Sequence, residues 1–226
     1  DVVELPLDTD LLGTFSGEIE LVLTPRETAI KKAKLGMQAT GMSLGIASEG
    51  SIGPNPSVPW IQSDFELMVF LDAERDLIIT ETFLSHEIIA ATIEISPEDS
   101  LELFLEKADF PRHALMAQPV NPHEPLIYKG ITSRLELQKA IADCAANSKI
   151  NKVKLQSDLR AMHSPSRQLN INKAAQHLVE RVAALCPACS TPGWGRTDYQ
   201  FGVECSDCGQ ENAEIAREEI LGCALC

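Results

Sequence analysis

The sequence predicts an α/β protein: a layered domain over residues 1–185, with a mixed sheet and flanking helices, then a small zinc ribbon over 186–226. Three observations predict it. Helical and strand periodicities interleave along the first 185 residues, the arrangement that lays helices on a sheet. The 226 residues are 44% apolar and 23% charged, the composition of a globular chain long enough for a core and an appendage. Six of the seven cysteines fall in three Cys-x-x-Cys pairs within "CPACSTPGWGRTDYQFGVECSDCGQENAEIAREEILGCALC", from Cys186 to Cys226.

The elements follow in chain order. "TFSGEIELVL" (14–23) alternates, with Phe15, Ile19, Leu21 and Leu23 on one side, and reads as a strand. Thr24, Pro25 and Glu27 then form a capping box with proline at the first helical position. That helix turns Ile30, Ala33 and Met37 inward and stops near Gly41. "SLGIAS" (43–48) is a short buried strand, and "EGSIGPNPSVP" (49–59) a loop by its glycines and prolines. "FELMVFLD" and "LIITETFL" flank "AERD" as a hairpin. "EIIAATIEI" (87–95) is a strand, Ser96-Pro97 opens a helix over 97–107, and "PLIYKG" (125–130) is a brief strand. Ser133 and Glu136 make a second capping box for a helix to about Ala146. "KVKLQSD" (152–158) alternates. The last helix, 170–185, places Ile171, Ala175, Leu178, Val182 and Leu185 on one face and leads into Cys186.

Charge narrows the function classes. The formal net charge is −14, but residues 1–110 carry 21 acids against 6 bases, while 111–226 carry 12 against 13. The acidic half would repel a polyanion, so general nucleic-acid binding is not expected. No apolar run is long enough to span a membrane. The first residue is Asp1 rather than Met, so a preceding segment is expected. Clustered cysteine pairs, rather than cysteines spread through the fold, point to metal in a reducing compartment, hence to the cytoplasm.

Cys186/Cys189 and Cys205/Cys208 have zinc-ribbon spacing, and Cys223/Cys226 follow at a similar interval. Four thiolates hold one ion, so six leave three partitions open. The remaining pair could bind a second ion with other ligands or stay a free dithiol. A tail this short buries little core, so structural zinc is expected to stabilise its fold.

The body offers polar candidates. Asp8 and Asp10 could hold Mg²⁺. Glu49 ends a strand beside glycine, where ligand sites of α/β sheets lie. Glu27 has a capping role already. Arg160 and Arg167, in "SDLRAMHSPSRQLN", suit a phosphate or carboxylate, unless Arg160 simply pairs with Asp158. Lys129-Gly130 after a short strand is a candidate of the same kind. No P-loop, G-x-G-x-x-G or nucleophile elbow is present.

"DTDLLGTFSGE", "ASEGSIGPNP", "SDLRAMHSPSR" and the cysteine tail, in this order, resemble a bacterial family known only as a domain of unknown function, family 6671. Members of that family begin with an extra strand and loop not seen here. "RETAIKKAKLGMQATGMSLGIASEGSI" resembles the inosine-triphosphate pyrophosphatase superfamily. By that resemblance Glu27 and Glu49 would hold Mg²⁺ and Lys32 would contact phosphate. Ser48 stands where that family has an acid, and 1–13 has no counterpart of its phosphate loop. The reading is therefore a Mg²⁺-dependent hydrolase of a phosphorylated small molecule, using Glu49, Asp8, Asp10 and Glu27 for metal and Lys32, Arg160, Arg167 and Lys129 for phosphate. The competing reading is a non-enzymatic zinc-ribbon module that docks on a protein or nucleic acid.

Overall fold

The computed structural model describes residues 3, 5, 23–55 and 58–226. Residues 14–22 of the predicted strand 14–23 lie outside them, as do Asp8 and Asp10.

Helix α1 spans Pro25–Thr40, and its capping box forms as the Thr-x-x-Glu spacing requires. Three antiparallel strands follow: β1 Leu44–Pro54, β2 Gln62–Asp72 and β3 Leu77–Ser85, in the order β1-β2-β3. β1 runs well past the predicted strand, into the segment read as a loop. Among the described residues it is an edge strand, where glycine and proline are tolerated, and it pairs with β2 from Leu44 opposite Asp72 to Pro54 opposite Gln62.

Helices cover both faces of β2. Leu67, Val69 and Leu71 pack with Ala29 and Ala33 of α1. Met68 and Phe70 point the other way and join a cluster with Leu178 of α4, Pro165–Ala183. This is a helix–sheet–helix sandwich, and the strand alternation decides which side chain meets which helix.

The second sheet has the order β4-β7-β5-β6, built from β4 Thr92–Ile95, β5 Leu115–Pro119, β6 Tyr128–Ile131 and β7 Val153–Ser157. Helices α2, Glu102–Lys107, and α3, Arg134–Ala146, pack on Leu115, Ala117, Val153 and Leu155 through Phe104, Leu105, Leu137, Ala140 and Ile141. Cys144 lies in this core, fully buried. Burial pushes its thiol up to about 11, so it serves as a small apolar residue.

Helices and strands mix as predicted, but the sheets differ from the expected mixed one. Every strand pair among the described residues is antiparallel. The β1–β2 and β2–β3 connections are hairpins, and β7 enters between β4 and β5 against both. Residues 87–91 are not strand either. Their backbone is satisfied by side chains: Ile89 N donates to Ser166 Oγ, Ala91 N to Ser157 Oγ, and Asn170 Nδ2 donates to Glu87 O. Helix α2 begins later than predicted because the Asp99 carboxylate accepts the Ser96 N–H and closes a turn there. The tail forms a long two-stranded hairpin, β8 Gly195–Glu204 and β9 Glu211–Gly222.

Candidate functional site

The tail answers the question of six thiolates. Helix α4 delivers Cys186 and Cys189 in a tight turn, and the hairpin returns the chain to Cys223 and Cys226. The sulfurs of these four cysteines all lie within 4.8 Å of one another. Cys186 and Cys226 are separated by 3.7 Å, and Cys189 and Cys223 by 3.5 Å. A disulfide would bring sulfurs to about 2.05 Å. Tetrahedral zinc with bonds of about 2.3 Å places them roughly 3.8 Å apart, so the spacing fits a shared ion. The amides of Ala188 and Leu225 point at the sulfurs of Cys186 and Cys223, at 3.4 and 3.3 Å.

Electrostatics agree. Hydrogen bonds from Thr191 bring the Cys189 thiol down to about 6. Backbone amides of Cys226 and Leu225 lower Cys223. The neighbouring cysteine sulfurs, Cys189 first, push Cys226 up to about 12. Crowded thiols shed protons unequally until a cation compensates the accumulating charge, and a divalent ion could supply that compensation here.

The cluster is fastened to the body. Arg181 on α4, almost fully buried, donates from Nε to Gly193 O at 2.7 Å and from Nη1 to Arg196 O at 2.8 Å. The carboxylate of Glu81 on β3 lies 3.5 Å from it. Ala224, inside the last cysteine pair, packs with Leu77, Ile79 and Leu178. The third pair, Cys205 and Cys208, lies apart, exposed at the turn between β8 and β9.

In the body, the structure brings two predicted residues together. Lys32 of α1 and Glu49 of β1 form an ion pair, with side chains 23% and 10% exposed. Glu49 stands opposite Leu67, so the pair belongs to the α1 face. Glu27 does not join them: its carboxylate accepts from Thr24 N and Oγ1 at 2.9 and 2.7 Å. Those bonds hold its acid below the usual carboxylate range.

The predicted arginines lie elsewhere. Arg167 reaches Glu66 Oε1 at 2.5 Å and Leu159 O at 2.8 Å on the α4 face of the sheet. Gly50, next to Glu49, faces that side, and a side chain there would collide with Glu66 and Arg167. The sheet thus separates the Glu49 carboxylate from Arg167. Arg160 donates to both oxygens of Asp158, at 2.9 and 2.6 Å, and Asp158 also accepts the Gly130 N–H. Lys129 is half-buried on β6 beside that glycine.

Sequence reasoning missed a buried polar seam along α4. Asn170 Nδ2 donates to Asp64 Oδ2 at 2.8 Å. His113 holds Asp109 through Nδ1 at 2.9 Å and Ser166 Oγ through Nε2 at 3.0 Å. Ser166 N donates to the same Nε2 at 3.1 Å. Asp64 and Glu66 were visible as acids alternating with Phe65 and Leu67. The strand reading of that segment named no partner for them, because the stripe expected to face inward on the last helix, Ile171 to Leu185, contains neither Arg167 nor Asn170.

Fold and site together define an α/β protein whose four clustered cysteines, at the base of a β-ribbon, could hold a metal ion. The chain belongs to the family described as Domain of unknown function (DUF6671), whose model matches residues 32–226. No curated protein and no solved structure matches it. Among the described residues, no helix is long and apolar enough to cross a membrane.

Proposed function

We propose that the protein hydrolyses a phosphorylated small molecule, in the manner of a nucleotide pyrophosphatase, on the α1 face of the three-stranded sheet. The contact between Lys32 and Glu49 carries this reading. It sets an ammonium and a carboxylate, both largely shielded from water, side by side at the sheet edge. In this reading Lys32 neutralises phosphate charge as it develops. Glu49 is the protein ligand to Mg²⁺, which when bound would supply charge compensation and an acidified water.

Among the described residues no group of three or more carboxylates gathers at this face. A Mg²⁺ there would draw most of its oxygen shell from phosphate and water, as that ion commonly does. Asp8 and Asp10 belong to the proposal by sequence alone. Arg160 and Arg167 are assigned to their carboxylates, Asp158 and Glu66, and not to phosphate.

The test is release of phosphate or pyrophosphate from a panel of nucleoside triphosphates with Mg²⁺, using the natural full-length protein. Lys32→Met and Glu49→Gln should each slow turnover about 10²-fold or more with folding unchanged. An inactive full-length protein across the panel removes this reading and leaves the ribbon, as a docking module, to carry the function.

A further inference from the structure

We propose that Cys205 and Cys208 are half of a second thiolate metal site, completed by the same pair from a second copy of this chain. The argument begins with backbone geometry. In the Cys186 turn, Cys186 N donates to Thr191 O and Ser190 N to Cys186 O, both at 2.8 Å. At the hairpin tip, Cys205 N donates to Gln210 O and Gly209 N to Cys205 O, both at 2.9 Å. The residue after the second cysteine is left-handed in each, with φ of 58° at Ser190 and 70° at Gly209. Glycine at the tip takes that conformation without steric cost. The amides of Asp207 and Cys208 also turn toward the Cys205 sulfur. The tip therefore repeats, bond for bond, the turn that presents two sulfurs to the four-cysteine centre.

It presents them to solvent. Cys205 and Cys208 are exposed. The tip is far from the other centre: ten residues of strand separate Gly195 from Cys205, about 30 Å of extended chain. Two thiolates are an incomplete shell for zinc, which takes four ligands in structural sites. A two-fold axis through the ion would supply the missing two from an identical tip, since such an interface presents the same patch from both sides.

The ribbon itself favours a second copy. An isolated two-stranded hairpin is marginal in water, and this one is held near its base, where Arg181 bonds the carbonyls of Gly193 and Arg196. Further out it leaves Phe201 and Ile215 about half exposed, apolar surface that an antiparallel partner ribbon would cover. The surrounding charge makes the association depend on metal. Glu204, Asp207 and Glu211 flank the tip, with no basic residue between 201 and 216. Two such tips repel one another unless a cation lies between them, and salt should weaken that repulsion.

Native mass and zinc content of the reduced full-length chain test this. The expected species is a dimer holding three zinc ions per two chains, one in each four-cysteine centre and one shared. The double variant Cys205→Ser/Cys208→Ser should be a monomer with one zinc per chain and with amide protection near Gly195 and Gly222 retained. Cys205→His/Cys208→His keeps two zinc ligands on each tip and should restore the zinc-dependent dimer, which guards against simple misfolding of the serine variant. The proposal is overturned by a monomer with one zinc whose tip thiols are freely alkylated, by a Cys205–Cys208 disulfide, or by a dimer that survives the serine changes or chelation. Lys32 and Glu49 take no part, so the catalytic reading stands or falls separately.

Discussion

Glu66 on β2 and Arg167 on α4 form an ion pair from which water is excluded, with side chains 0% and 7% exposed. Their oxygen and nitrogen atoms meet at 2.5 Å, across 101 residues of sequence. Burial nevertheless dominates the acid: desolvation raises the Glu66 carboxyl to about 7, against the pull of Arg167 toward lower values. The folded chain thus keeps a proton on Glu66 at pH values where the unfolded chain has lost it.

Stability should follow that proton. It is greatest below the unfolded value near 4.5 and falls as pH rises through about 7. The full span is at most about 3 kcal/mol. Glu66→Gln should flatten the slope, so the variant gains on the natural protein between pH 5 and pH 8 in denaturant titrations. Arg167→Leu leaves a buried acid without its partner and should cost about 3–5 kcal/mol at pH 8, but less at pH 5, where Glu66 is protonated. A stability curve that rises across this window would contradict the assignment.

Metal removal should separate tail from body. Cys189→Ser or Cys223→Ser breaks the four-sulfur shell, and zinc in the four-cysteine centre should fall from one per chain to near none. Amide exchange over β8 and β9 should then accelerate greatly, because a hairpin with so little buried surface depends on the ion for its stability. The sheets of the body, with cores around Val69 and Leu155, should keep their protection. Unchanged exchange in the hairpin after complete chelation would show that zinc does not hold it.

Much of this was legible in the sequence where a local rule has one structural outcome. Thr24 with Glu27, and Ser133 with Glu136, cap α1 and α3 as their spacing requires. Three Cys-x-x-Cys pairs pointed to a metal site, but which two pairs come together depends on the length and return of a hairpin. β8 alternates over Tyr199, Phe201 and Val203, yet that alternation marks no core: apart from Gly202, no described residue of either strand is buried. Where neither face is buried, side chains specify register only weakly, and the pairing rests on the hairpin itself.

The α4 stripe shows the opposite failure. Its buried residues are Arg167, Asn170, Ala174, Leu178 and Arg181, one face further round than the apolar pattern indicated. Asp64, Glu66 and Glu81 on the sheet provide partners for the polar members of that stripe. Apolar periodicity cannot see a helix that is seated partly by charge.

Arg181 joins α4 to the tail, so replacing it should loosen the attachment without removing the ion. Arg181→Leu loses hydrogen bonds to Gly193 O and Arg196 O and leaves Glu81 without its buried partner, a change of about 3 kcal/mol. Zinc content should stay at the natural value, while amide exchange rises at 193–196. Arg181→Lys cannot reproduce the two-pronged contact and should recover only part of the loss. Zinc lost together with Arg181 would mean that the centre has no stability of its own.

The last prediction concerns how α4 begins. Ser164 stands at its N-cap but makes no capping hydrogen bond through its side chain. The first-turn amide of Ser166 instead donates to His113 Nε2. An N–H pointed at Nε2 makes that nitrogen the acceptor, so the ring proton sits on Nδ1 and is donated to Asp109 Oδ2 at 2.9 Å. A distant histidine thus does the work usually done by a local Ser, Thr or Asp. His113→Ala should cost about 2 kcal/mol, at the upper end for a lost cap because the site is buried. His113→Gln can offer a carbonyl oxygen to the same amide and should recover part of it. Asp109→Ala, which removes the acceptor that fixes the ring proton on Nδ1, should cost less than His113→Ala and leave the Ser166 amide bonded. Thermal unfolding of the three variants gives the order, and equal losses for His113→Ala and His113→Gln would show that the ring fills space there without capping the helix.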